Sequence, residues 1–99
     1  MQTMTFEDFH ASLSAKEPPS GISVLLAAMW WEANGNWDRA HGIAQDIGTV
    51  EASWVHAYLH RKEGDDGNAG YWYRQAQRPH SRLGHDAEWE EIVRLLLAD

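Results

Sequence analysis

The sequence contains no cysteine, which excludes disulfides, thiolate metal ligands and cysteine nucleophiles. It is short of positive charge: 8 lysines and arginines stand against 15 acids, a net charge of −7. Phosphate backbones and anionic lipid demand a basic footprint, so neither nucleic acid nor a membrane is an expected partner. Long apolar runs are missing as well. The most apolar stretch, Ile22 to Trp31, covers about ten residues and is interrupted by Ser23, against about 20 for a spanning helix. The amino-terminal MQTMTFEDFHASLSAKEPP carries acids where a signal peptide carries bases. A cytoplasmic location is the expectation.

What is present suits one small domain of 99 residues. Apolar residues make up 43% and charged residues 23%, enough for a modest core. Six tryptophans add unusually large side chains to that core. The apolar spacing is helical throughout, and no alternating strand-like stretch occurs. Thr5 and Asp8 form a capping-box pattern ahead of Phe6, Phe9 and Leu13, and Pro18-Pro19 stops that first helix. A second helix is expected over about 21–34, capped by Ser20 and apolar on nearly every side, hence central. Further helices follow over about 37–46 (cap Asn36), 50–63 (cap Thr49) and 67–77, then a loop over 79–85. Asp86 is the expected cap of a last helix over 87–98, with Trp89, Ile92, Val93 and Leu96 inward and Glu88, Glu91 and Arg94 outward. The fold class is therefore all-α, with five or six short helices: hairpins over 21–47 and 50–77, closed by an N-terminal helix and a C-terminal one.

A shift of 29 positions superposes Ala28 on Ala57, Gly35 on Gly64, Asn36 on Asp65 and Ala40 on Ala69. Small residues flank each turn, where two antiparallel helices must approach closely, and glycine supplies the positive φ that ends the first of each pair. Gly64-Asp65, Ala69, Trp72-Tyr73, Ala76 and Pro79 resemble the second half of a tetratricopeptide or Sel1-like repeat. The 29-residue spacing is shorter than those repeats show, and Ala44 and Ile47 stand where the motif places an aromatic and an alanine. The stretch from Trp54 to Asp65, with Tyr71 to Arg74 and Arg78-Pro79, is also similar to small bacterial proteins, a likeness that implies no chemistry.

The resemblance implies that Trp54, Tyr58 and Arg61 line a concave side, with Arg74 nearby. Aromatic residues beside a guanidinium suit a peptide bearing a carboxylate, so a protein-interaction or adaptor module is the first functional expectation. Core packing of Trp54 and Tyr58 against the preceding hairpin is the alternative. A second expectation is a small metal-dependent enzyme or ligand-binding protein. His56, His60 and Glu63 lie at helical spacing on one face, as a divalent-metal site requires, with Glu51, His41 or His85 as further ligands. The plainer alternative has those histidines half-buried and bonded to Tyr73 or a backbone carbonyl. Arg74 and Arg78 with His80 and Arg82 suggest a small anion site, or simply cations complementing a helix dipole. No phosphate loop, dinucleotide fingerprint or nucleophile elbow is present, which weighs against an enzyme. Leu95 and Leu97 widen the apolar band of the last helix, so it serves either as a lid on a monomer or as a homodimer surface.

Overall fold

Five of the helices begin where a short polar side chain takes up a free amide. Residues 4–98 are described by the computed structural model, and among them only helices and connecting turns occur. α1 (Phe6–Ala11) has the full capping box: Thr5 Oγ1 accepts from Asp8 N at 3.0 Å, and Thr5 N donates to Asp8 Oδ2 at 3.4 Å. A 3-10 turn, Ser12–Ser14, follows, so Leu13 sits beyond the α-helix. α2 (Val24–Ala33) is capped by Ser23, not Ser20, its hydroxyl accepting from Leu26 N at 3.2 Å. Gly21, at φ +82°, keeps the chain out of the helical region until that point. α3 (Trp37–Gln45), α4 (Val50–Lys62) and α5 (Asp66–Gln75) are capped by Asn36, Thr49 and Asp65. α6 (His85–Ala98) starts earlier than the sequence suggests, with Glu88 N bonded to Gly84 O at 3.0 Å. Asp86 therefore lies in its first turn, where its charge favours the helix dipole rather than capping it.

Three helices end in the same way. After α2, Asn36 N bonds Trp31 O and Gly35 N bonds Glu32 O, each at 2.9 Å, with Gly35 at φ +86°. α4 repeats the pattern at Gly64, φ +91°, and α5 repeats it through Arg78 N to Tyr73 O and Gln77 N to Arg74 O, both 3.0 Å. These pairs of bonds satisfy carbonyls that the helix leaves free. The first two ends let α2 pack on α3 and α4 on α5, with α3 also against α4. Ala28, Ala40, Ala57 and Ala69, the residues of the 29-position echo, are all fully buried. At the third end the left-handed residue is Gln77, φ +58°. Its side chain costs ~1–2 kcal/mol in that conformation, against a smaller entropic cost for glycine. Gln77→Gly is expected to raise the stability by about 0.5–1 kcal/mol in urea unfolding, whereas Gly64→Ala lowers it.

α4, rather than α2, is the most enclosed helix. Every residue from Trp54 to His60 is buried, because α4 packs against α2, α3, α5 and α6 together, whereas Val24 of α2 is 62% exposed. Trp30 is buried and donates to Ser12, while its neighbour Trp31 lies half-buried beneath the Arg39 guanidinium, 4.1 Å from the ring centroid. α6 covers α4, α2 and α1. Trp89 anchors it among Phe6 and Phe9 and donates to Met29 O at 3.1 Å. Leu95 and Leu97 are half-buried and packed against the core.

One expected outward residue turns inward. Glu88 is fully buried, and it accepts from Trp54 Nε1 at 3.1 Å, Tyr73 OH at 2.5 Å and Arg61 Nη1 at 2.7 Å. Three donors from α4 and α5 converge there, and the burial follows from them. Glu32 plays a similar part for Tyr58 and Lys62. Glu88→Ala would leave a guanidinium, a phenol and an indole without their acceptor. The expected loss is about 3–5 kcal/mol in urea unfolding, and Glu88→Gln should lose less because it keeps an acceptor oxygen.

Candidate functional site

The densest group of ionisable side chains lies where α3 crosses the middle of α4. His56 and His60, one turn apart, stack with ring centroids 4.8 Å apart. α3 brings His41 edge-on to both, at 4.6 Å from His56 and 5.1 Å from His60. His41 Nε2 and His56 Nε2 are 2.9 Å apart. One potential ligand nitrogen from each of the three imidazoles falls within 4.8 Å of the others. Two indoles hold the rings in place. Trp37 lies flat on His41 (4.8 Å, 11°) while its Nε1 donates to Leu59 O at 2.7 Å. Trp72, from α5, lies flat on His56 (4.0 Å, 15°). His41 is thus packed by an indole one turn earlier on its own helix, and His56 by one from α5.

The electrostatics favour the neutral form at His41 and His56. Burial, reinforced by His41 and His60, pushes the His56 imidazole down to about 4. Burial also lowers His41, with His60 adding to the effect while Glu63 and Asp38 pull the other way. His60 Nδ1 lies 2.7 Å from Glu63 Oε2. A carboxylate only accepts, so Nδ1 carries a hydrogen toward Glu63, which leaves Nε2 as the nitrogen on the other side of the ring.

The other residues expected at functional positions fall elsewhere. Glu63 stands behind His60, hydrogen-bonded to its far nitrogen, rather than beside His41 and His56. It also groups with His60 and Asp65, but Asp65 is committed to Asn68 N and Nδ2 as the cap of α5. Glu51 does not join the cluster, and His85 lies edge-on to Tyr58 instead. The phenol of Tyr73 bonds Glu88 and not a histidine. Trp54 and Tyr58 are 2% and 1% exposed, so the aromatic floor assigned to a partner is interior, closed over by α6. Burial raises both the Tyr58 and Tyr73 phenols, with Glu32 and Glu88 respectively adding to it, so both stay protonated donors. Arg61 reaches Glu88 and Leu83 O, and Arg74 alone of the four is exposed. Arg78 covers the Trp54 ring at 3.5 Å. A cleft of about 490 Å³, lined by Phe6, Glu32, Tyr58, Lys62 and Trp89 among others, does not include the three histidines.

Comparison with protein-family models, with curated proteins and with solved structures gives no match. The chemistry must therefore be argued from the side chains. Three imidazoles from two helices form a set of nitrogen donors, and imidazole suits zinc, copper, iron and nickel. Trp37 lies one turn before His41 on α3, a spacing visible in the sequence, whereas the approach of Trp72 to His56 depends on how α5 packs on α4.

The lowered His56 and His41 have a consequence for stability. Between about 4 and the ordinary value of 6.5, the unfolded chain binds protons that the folded chain excludes. The contribution is therefore complete above pH 6.5 and is lost as pH falls toward 4. In chelator-treated protein, the unfolding free energy should drop across that window by up to ~1.4 kcal/mol per pH unit for each proton excluded. His56→Gln should show a shallower drop, measured by urea titration at several pH values.

Proposed function

We propose that this chain is a metal-binding protein that holds one divalent transition-metal ion on His41, His56 and His60. The observation that carries the reading is the convergence of three imidazole nitrogens within 4.8 Å, from two helices. Nitrogens bound to one ion at ~2.0–2.1 Å stand roughly 3.0–3.4 Å apart. The 2.9 Å separation of His41 and His56 is close to this, so small side-chain rotations complete the set. The Glu63 carboxylate on His60 Nδ1 supports the reading, since an outer carboxylate fixes the tautomer and raises the basicity of a ligating histidine. Burial that lowers His41 and His56 works in the same direction, because metal competes with protons for these nitrogens. The sequence expectation of His56, His60 and Glu63 is thereby modified: His41 becomes the third ligand and Glu63 its support from outside.

The test is zinc titration of chelator-treated protein prepared without a polyhistidine tag. About one zinc per chain is expected, with stabilisation of about 2.7 kcal/mol when free zinc exceeds its Kd a hundredfold. His41→Ala, which removes a half-buried ring and little core, should abolish both effects. Zinc that fails to bind, or that binds His41→Ala equally well, overturns the reading.

A further inference from the structure

The three histidines occupy only part of a metal's coordination shell, and the surroundings determine whether the rest is filled by protein. Among the described residues no fourth histidine, cysteine, aspartate or glutamate joins His41, His56 and His60. The nearest carboxylate, Glu63, is held on Nδ1 of His60 at 2.7 Å. The two nitrogens of an imidazole point to divergent sides of the ring, so a group bonded to Nδ1 lies away from an ion on Nε2. Asp65 is occupied by two bonds to Asn68. Asp38, three residues before His41, is exposed and does not group with the three histidines. Trp37 and Trp72 wall the site with ring faces, and the one N–H of Trp37 is already given to Leu59 O. Indole offers no lone pair to a metal in any case. His56 and His60 are buried, whereas His41 is half-buried, so the site approaches solvent on the α3 side.

We infer that the metal bound here keeps an open coordination position, taken by an exchangeable water that small monodentate anions can replace. The inference rests on the proposed metal site and adds the class of ligand that the site accepts. Structural zinc sites are closed by four protein ligands, whereas three protein ligands plus water characterise sites that exchange ligands and act as Lewis acids. The His41, His56 and His60 set is of the second kind.

Cobalt(II) reports both the presence of the metal and its ligand exchange, through its visible absorption bands. Cobalt-loaded wild-type protein is titrated with sodium azide, and His41→Ala is treated alongside. The expected result is about one cobalt per wild-type chain, a saturable change in the bands on adding azide, and no cobalt bound by His41→Ala. Absence of cobalt binding by the wild-type chain would overturn the metal site itself. Binding of cobalt with bands that do not respond to azide overturns the open position while leaving the metal site intact. Glu63→Gln identifies the alternative fourth ligand. If azide changes the bands of Glu63→Gln but not those of wild type, Glu63 swings in to close the shell and the inference is wrong. An equal azide response in both chains keeps Glu63 outside the shell, as inferred.

Discussion

The enclosure of α4 governs most of what this small structure does. A helix buried from Trp54 to His60 carries an indole, two imidazoles and a phenol into the interior. Each polar group moved out of water costs free energy unless it finds a partner there. The neighbouring helices must therefore present acceptors and donors at matching heights along α4. Glu88 on α6 takes Trp54 and Arg61, Glu32 on α2 takes Tyr58, and His41 on α3 takes His56. Among the described residues no buried side-chain nitrogen or oxygen is left without a partner. The polar residues thereby fix where each neighbour docks, which apolar burial alone specifies poorly.

The two sides of α4 use this constraint differently. On the side of α6 the partners are carboxylates, and the outcome is a set of ion pairs and charge-assisted bonds that ties the last helix down. On the side of α3 the partners are other imidazoles, which neither complete one another's hydrogen bonding in full nor tolerate shared positive charge. The same helix thus holds one region built on carboxylate acceptors and one built on imidazoles packed against each other.

The architecture was largely legible in the residues. Caps at Thr5, Asn36 and Thr49 and positive-φ glycines at 35 and 64 act over a few residues, and their effects are local. The buried alanines at 28, 40, 57 and 69 mark where helices touch, because only a small side chain lets two backbones come so close. The candidate site was legible in part. Its two α4 histidines follow from helical spacing, and His41 stood among the further ligands. The placement of Trp54 and Tyr58 was not legible, since spacing gives the face a residue occupies on its own helix but not which element covers that face. Glu88 misled for the same reason: a carboxylate on a helix reads as solvent-facing until three donors from elsewhere surround it.

The sequence by itself determined that the chain is all-helical and that it turns at Gly35 and Gly64, because those outcomes are set by interactions within a turn or two of backbone. Only the tertiary structure decided that α6 would seal the aromatic side of α4 and that α3 would complete a three-histidine cluster on the other. Those choices depend on matching polar groups far apart in the chain, and the energy of such a match exists only once the helices are assembled.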